Sequence, residues 1–503
     1  MKNTPGGFAA AIAGVIPVLL LLLSVSHVPA YELEQRVQSY TLENGLKVLI
    51  QERRLSPTVS LYIRHNVGAV DEVSGRTGAA HLLEHLLFKG TRTIGTRDYK
   101  AEEKIREELV RTGNALDREK MQGKSADPKK VEELSRRLAE LQARESQLVI
   151  HNEIDRLYTE NGATRMNATT GQDITSYFVS LPSNKIELWA RIESERMRDP
   201  VFREFYSERN VVREERRQTI ESLPERKLWE QFLAAAFTAH PYRRPVIGWP
   251  SDITFLNYDY IREFYRTFYA PNNTVIAVVG DVSAPRAMEI IRKYFGGIPA
   301  QQLSRPHITE EPVQKGERRI RIEMNASPRI AIGWHKPPLP SFDDFVFDVI
   351  EGLLSKGRTS RFQKRLVEGK AIAEQVQAAN GFPASRYPNL FVVYGAPRSP
   401  HTAGELEAEI YLELEKLRKE PVAAAELEKV KNQIRMDYLR DLDSNEGLAG
   451  KLSYFEVIAG DYRYIKRHLE TIDRITPEDI REVADRYLKK ENRTVAVLGG
   501  TDK

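Results

Sequence analysis

The feature that most constrains the fold of this chain is an internal duplication. The segment Tyr260–Val282 resembles Asp479–Gly500 at an offset of 219 residues. Each copy has the pattern of an amphipathic helix, a turn and a run of β-branched residues. A second pair of segments, Pro57–Asn66 and Pro328–Pro337, matches at an offset of 271 residues. Two copies of one helix-and-strand unit predict an α+β protein with two homologous domains that face each other.

The first copy carries extra chain, because the two offsets differ by 52 residues. The excess falls at about residues 99–155, where Glu, Lys and Arg dominate. The apolar residues there form a heptad-like stripe at Val131, Leu134, Leu138, Leu141 and Leu148. Because Ser125–Lys130 (SADPKK) interrupts the region, we expect a helical hairpin inserted in the first domain. Its charge fits a solvated arm and a partner-binding arm equally well.

The sequence also predicts where the domains begin and end. Residues 31–300 are expected to form the N-terminal domain and residues 320–503 the C-terminal domain. Proline and charged residues cluster in residues 301–319, which predicts a linker. Because each domain mixes strands with helices, each is expected to hold a mixed sheet packed with helices.

The first thirty residues have the pattern of a signal peptide. Lys2 is the only charge before Glu32, and an apolar run extends from Phe8 to Val25. We expect cleavage after Ala30, although a run of 18 residues also fits an uncleaved membrane anchor. Both interpretations predict an exported, periplasmic protein, held at the inner membrane only if the segment is retained.

Composition excludes several classes of site. The chain has no cysteine, which excludes disulfides and thiolate metal ligands. The formal net charge is only +4 and the two signs are interspersed, so no nucleic-acid-binding surface is indicated. A metal ion in this protein must therefore be held by His, Asp or Glu.

One short apolar segment, Gly78–Gly90 (GAAHLLEHLLFKG), carries the polar residues that such a site requires. On a helix, His81, Glu84 and His85 share one face, while leucines flank them. An unpaired buried carboxylate is costly, and a cation between two imidazoles would resolve that cost. Zinc suits these ligands, with the histidines binding it and Glu84 free to act as a general base. The alternative is a helix of hydrogen-bonded polar residues without a metal.

A third ligand is expected on the segment Tyr206–Ser222. As a helix, this segment places Glu208 and Glu215 on one face. Glu214 points about 100° away from Glu215 and is the competing choice. A charged surface helix without a ligand is the alternative.

Taken together, these segments resemble the inverzincins, the pitrilysin and mitochondrial processing peptidase family. HLLEH matches the inverted zinc motif, and SERNVVREE matches the third-ligand helix of that family. The resemblance implies zinc ligands at His81, His85 and Glu215, a supporting glutamate at Glu208, and Glu84 as general base on a zinc-bound water. It further implies that Asn167, Ala168 and Thr169 lie on an edge strand that pairs with the substrate backbone.

Two features of the second half concern the assembly of the protein. The second half has Asp348, Glu351 and Gly352 opposite the zinc motif, so we expect no zinc there. Many relatives also carry an arginine and a tyrosine, seven apart, that hold the substrate, whereas Leu366 and Ala373 align there. The resemblance thus implies the zinc-bearing partner of a homologous zinc-less subunit that has this pair, or a homodimer.

The expected function is a zinc metalloendopeptidase that hydrolyses peptides or unfolded polypeptide segments in a chamber between its two domains. The competing hypothesis is a non-catalytic structural or binding subunit of the same fold. If the protein is a binding subunit, the charged hairpin would be the part that binds its partner.

Overall fold

The computed structural model describes residues 36–305 and 307–499. The expected signal peptide at residues 1–30 lies outside these residues. Within the described part, none of the helices combines the length and the apolar character needed to cross a membrane.

The chain forms two mixed sheets, one in each half. The six-stranded sheet of the first half has the order β1-β2-β6-β3-β5-β4. Its strands are β1 (Val37–Thr41), β2 (Lys47–Glu52), β3 (Thr58–His65), β4 (Thr164–Thr170), β5 (Thr175–Pro182) and β6 (Thr274–Gly280). The five-stranded sheet of the second half has the order β7-β11-β8-β10-β9. Its strands are β7 (Arg318–Glu323), β8 (Arg329–Lys336), β9 (Ala373–Phe382), β10 (Asn389–Pro397) and β11 (Arg493–Gly499).

Helices connect and cover the sheets. Those of the first half are α1 (Ala79–Leu86), α2 (Tyr99–Met121), α3 (Pro128–Ser146), α4 (Glu153–Glu160), α5 (Ile186–Arg198), α6 (Phe205–Arg216), α7 (Pro224–Ala236), α8 (Pro250–Phe255), α9 (Tyr258–Phe268) and α10 (Ala284–Phe295). Those of the second half are α11 (Phe342–Ser355), α12 (Ala403–Lys419), α13 (Ala424–Asp443), α14 (Asn445–Ala459), α15 (Tyr464–Arg474) and α16 (Pro477–Tyr487).

The repeated elements confirm the predicted α+β fold with two related halves. The first copy of the duplicated segment forms α9 and β6, and the second forms α16 and β11. The other repeated pair forms β3 and β8, which lie centrally in their sheets. A short coil precedes β7, which begins at Arg318.

The inserted hairpin is also present, as α2 and α3. Asp127 accepts a hydrogen bond from the backbone of Lys129, and Pro128 opens α3, so the sequence SADPKK ends one helix and begins the next. The inner part of the predicted apolar stripe is buried. Leu138 and Leu141 lie in a cluster that includes residues of α1, α6 and α9, and the half-buried Val131 and Leu134 pack against it.

One helix from each half packs on the sheet of the other half. Helix α14 covers one face of the first sheet, where Leu448 and Leu452 pack against Val279 and Ala277. Helix α7 likewise packs on the second sheet, with Phe232 among the buried residues of β8, β10 and β11. The opposite faces are covered by each half's own helices. Because of this exchange, the halves share their cores and form one interlocked body.

Candidate metal centre

Helix α1 begins where the loop after β3 turns back toward the sheet. Gly78 adopts a φ of 90°, which favours glycine, and a Cβ there would meet the carbonyl oxygen of Ile247 at 2.6 Å. The buried carboxylate of Glu72 accepts hydrogen bonds from the backbone N–H groups of Gly78 at 2.9 Å and Ala80 at 2.8 Å. These bonds satisfy two donors at the helix start and fix the helix that carries His81 and His85.

Three of the predicted side chains come together between α1 and α6. One ligand atom from each of His81, His85 and Glu215 lies within 4.8 Å of the others. The Nε2 atom of His81 lies 3.7 Å from Oε1 of Glu215, and Nε2 of His85 lies 3.4 Å from Oε2. The two imidazole rings are 4.9 Å apart and nearly perpendicular. His81 and Glu215 are 134 positions apart in the sequence, and the packing of α1 on α6 brings them together.

Glu208 holds the other side of His85. Its Oε2 atom lies 3.4 Å from Nδ1 of His85, and its Oε1 atom lies 2.7 Å from Nζ of Lys89. This contact leaves Nε2 of His85 directed at Glu215. Lys89 was not among the predicted residues; it lies just after α1, which ends at Leu86.

Glu214 is turned away from this cluster. It is exposed and binds Arg217 and Gln218 through its carboxylate. The structure therefore distinguishes the two glutamates, with Glu215 beside the imidazoles and Glu214 on the surface of α6.

The donor set fits a zinc ion. The two imidazole–carboxylate distances exceed those of ordinary hydrogen bonds. Two ligands of a tetrahedral zinc ion at about 2.0 Å from the metal are about 3.3 Å apart, close to the spacing observed. Moreover, Nδ1 of His81 is buried without a hydrogen-bond partner. His81, His85 and Glu215 could thus hold the ion, as three protein ligands of a catalytic site do.

The electrostatics of the cluster also favour a cation. Burial lowers the pKa of His81 to about 4, so its ring is neutral at pH 7. Burial opposes charge on His85 as well, but the carboxylates of Glu208 and Glu215 outweigh it and raise its pKa to about 9. The protonated ring of His85 therefore supplies positive charge that balances part of the negative charge of Glu208 and Glu215.

Glu84 lies on α1 between the two histidines and toward β4. Burial raises its pKa, and the nearby groups of Thr170 and His85 partly offset that rise. Its helix contacts β4, the strand at the free edge of the first sheet. Asn167, Ala168 and Thr169 lie on this strand and pair with β5 on one side only.

The hairpin packs on the back of α6, which carries Glu208 and Glu215. Arg209 of α6 binds both carboxylate oxygens of Asp117 of α2, at 2.6 and 3.0 Å. Tyr206 of α6 lies so close to Gly113 that a Cβ there would meet the ring at 2.0 Å. These contacts were not predictable from the sequence, because each partner is polar or small and fits a charged surface.

The corresponding region of the second half is organised differently. Asn380 donates a side-chain hydrogen bond to Asp348 and a backbone hydrogen bond to Glu351, at 2.8 and 2.9 Å. Leu366 and Ala373 are fully buried in the core of that half. Neither side chain can therefore contact a substrate.

Comparisons with known proteins agree with this fold and site. Residues 47–120 and 122–249 match the model described as insulinase, peptidase family M16, and residues 256–434 match the peptidase M16 inactive domain. The zinc protease PqqE of Helicobacter pylori is 27% identical over 97% of this chain and 98% of its own length. The probable mitochondrial-processing peptidase subunit beta of Schizosaccharomyces pombe is 22% identical over 93% of this chain and 92% of its own length.

A solved structure shows the same architecture. The crystal structure of a protease from Helicobacter pylori superposes with a TM-score of 0.77 at 26% identity, covering 92% of this chain and 99% of that one. With the two family matches, this shows that the chain belongs to peptidase family M16, the pitrilysin family. Relatives of this chain are named zinc proteases.

Proposed function

We propose that this protein is a zinc-dependent endopeptidase that hydrolyses peptides or unfolded polypeptide segments. The observation that carries the proposal is the convergence of His81, His85 and Glu215 to within 4.8 Å, beside the carboxylate of Glu84. This is the number and kind of protein ligands found at catalytic zinc sites. The names of the relatives support the same class of reaction.

The chemistry that a zinc ion bound there would supply is polarisation of the scissile carbonyl and of a water molecule. Glu84 would accept the proton of the attacking water at its carboxylate and pass it to the leaving amine. A pKa raised by burial suits a group that must take up a proton and then release it. Glu208 would keep His85 in the orientation that directs Nε2 at the ion.

The substrate would bind as an additional strand beside Asn167, Ala168 and Thr169. Strand β4 lies at the edge of its sheet, and an extended peptide can pair with an edge strand whatever its sequence. A chamber between the two halves would admit flexible segments and exclude folded proteins.

We further propose that the protein acts as the catalytic subunit of a two-chain assembly. Leu366 and Ala373 stand where many relatives carry the arginine–tyrosine pair, and both are buried in the core of the second half. A homologous zinc-less subunit would supply it, and a homodimer is the simpler alternative. The name of the fission yeast relative, a subunit, supports pairing. The N-terminal sequence supports export to the periplasm.

Replacement of Glu84 by glutamine tests the proposal. Glu84→Gln should keep bound zinc and lose peptide hydrolysis, since the amide cannot accept the proton. Glu214→Gln, on the exposed side of α6, is the matched control and should retain both. A Glu84→Gln protein that hydrolyses peptides at the normal rate would show that this carboxylate is not the base. A zinc-loaded wild-type protein that cleaves nothing, alone or with its partner, would favour the non-catalytic subunit.

A further inference from the structure

A second pocket lies between the first sheet and helix α14, away from the metal centre. The cavity measures about 480 Å³ and opens to solvent. Its lining contains four cationic side chains, Arg64, Arg165, Arg440 and Lys451, and two carboxylates, Asp441 and Glu446. The lining therefore carries an excess of two positive charges.

Arg64 is the buried member of this group. Only 8% of the residue is exposed, and it donates hydrogen bonds to Oγ of Ser176 and to the backbone oxygen of Gly450, each at 2.9 Å. Among the described residues no carboxylate pairs with it, and the rings of Tyr62 and Tyr454 flank its guanidinium. Burial accordingly lowers the pKa of Arg64 to about 10. A buried guanidinium without an anion is costly and attracts one.

The other cations already have acidic neighbours. Arg165 pairs with Glu446, Lys451 lies 3.6 Å from Asp441, and Arg440 lies 3.4 Å from Asp437. The uncompensated charge of the pocket is therefore that of Arg64, with one of its amino groups, Nη2, left without a hydrogen bond in the described structure.

The pocket is continuous with the strand edge on which the substrate is proposed to bind. Register pairs Thr169 of β4 with Ser176 of β5, and Ser176 with Arg64 of β3. Directly paired residues share one face of a sheet, so these three side chains lie on the face that α14 covers. Arg165, which also lines the pocket, belongs to β4 itself.

Distance along the strand locates the pocket relative to the chemistry. Glu84 lies beside Thr170 at one end of β4, and Arg165 lies five residues away at the other end. At about 3.3 Å per residue, the two are roughly 16 Å apart along the edge. An extended peptide therefore places a group in this pocket about four to six residues from the bond near Glu84.

We propose that the pocket around Arg64 and Arg165 is a subsite for a carboxylate of the bound peptide, from an acidic side chain or from a free C-terminus. This inference rests on the proposed peptidase function and names a substrate preference for it. A carboxylate matches the guanidinium in charge and geometry.

The test uses peptides of one sequence that carry Glu or Gln at each position four to six residues on either side of the cleaved bond. Each is made with a free and an amidated C-terminus, which separates the two sources of the carboxylate. We expect the wild-type protein to cleave one acidic or free-ended peptide about tenfold better, in kcat/KM, than its neutral twin. Arg165→Gln and Arg64→Gln should bring that ratio close to one. Arg262→Gln, an exposed arginine of α9, is the control.

Binding of the same peptides to Glu84→Gln, measured by fluorescence anisotropy, needs no turnover. It therefore tests the pocket even if no peptide is cleaved, and in that case only the proposed peptidase function fails. Arg64 also donates a hydrogen bond to the backbone of Gly450, so Arg64→Gln is expected to lose stability. The exposed Arg165 holds no backbone group among the described residues, so Arg165→Gln is the safer variant. Equal affinity for every acidic and neutral pair, or a preference that survives Arg165→Gln and Arg64→Gln, would overturn the inference.

Discussion

Arg209 on α6 and Asp117 on α2 form a buried bidentate ion pair, with oxygen–nitrogen distances of 2.6 and 3.0 Å. The pair joins the inserted hairpin to the helix of Glu208 and Glu215. The hairpin is thus part of the structure that positions the third ligand, and its inner face is not free for a partner. Its outer face remains charged and exposed.

Asp117→Ala should weaken zinc binding as well as the fold. The substitution leaves a buried guanidinium unpaired, which costs about 3–5 kcal/mol of folding free energy. With α6 less constrained, we expect about tenfold weaker zinc affinity in a competition with a chromogenic chelator. Glu108→Gln removes an exposed carboxylate from the same hairpin, where it pairs with Arg137, and should change neither quantity by much. Unchanged zinc affinity in a folded Asp117→Ala protein would limit the hairpin to a stabilising role.

Glu208→Gln should lower zinc affinity by about 10- to 100-fold without removing the ligands themselves. The amide is a weaker partner for Nδ1 of His85 and no longer neutralises Lys89. Equilibrium dialysis against a zinc buffer measures the change. A zinc affinity equal to that of the wild type would mean that Glu208 only pairs with Lys89 and does not support His85 as a zinc ligand.

Glu72 makes stability depend on pH. Burial raises the pKa of this carboxyl to about 8, despite its bonds from the start of α1. Because the folded pKa is raised, the stabilising contribution is complete below the unfolded value of about 4.5 and is lost as the pH rises toward 8. Relative to Glu72→Gln, which does not titrate, the wild-type protein should lose a few kcal/mol between pH 5 and pH 8.

Thermal unfolding of both proteins at a series of pH values measures this difference. The exposed substitution Glu289→Gln should run parallel to the wild type. A constant difference in melting temperature between wild type and Glu72→Gln would show that Glu72 does not titrate in that range.

Asp173 links the two halves through hydrogen bonds. One of its oxygens accepts the hydroxyl of Tyr242 at 2.7 Å, and the other accepts the backbone N–H groups of Ser385 and Arg386 at 2.9 and 2.8 Å. Asp173→Ala leaves these buried donors unsatisfied, which should cost about 3 kcal/mol or more. We expect faster amide hydrogen exchange in residues 383–388 than in the wild type. Unchanged exchange there would mean that the exchanged helices α7 and α14 hold the halves without this contact.

The sequence predicted the elements that repeat and the residues whose chemistry is unusual. The offset of 219 residues located α9 with β6 and α16 with β11, because helical and strand periodicities are local properties. The spacing of His81, Glu84 and His85 similarly placed them on one face of α1.

Contacts between distant elements were not predictable in the same way. The apolar face of α7 predicts burial, but its sequence does not indicate that Phe232 packs on the sheet of the other half. Residue spacing alone also did not decide whether Glu214 or Glu215 is the third ligand, since both fit a charged helix. Only the resemblance to a family, and then the packing of α1 on α6, distinguished them.

The central claim is that His81, His85 and Glu215 bind one zinc ion, and elemental analysis tests it most directly. Folded wild-type protein equilibrated with zinc and then desalted should contain close to one zinc per chain. His85→Ala and Glu215→Ala should contain little, and Glu84→Gln should match the wild type. A folded wild-type protein without zinc, or a Glu215→Ala protein that retains it fully, would contradict the account.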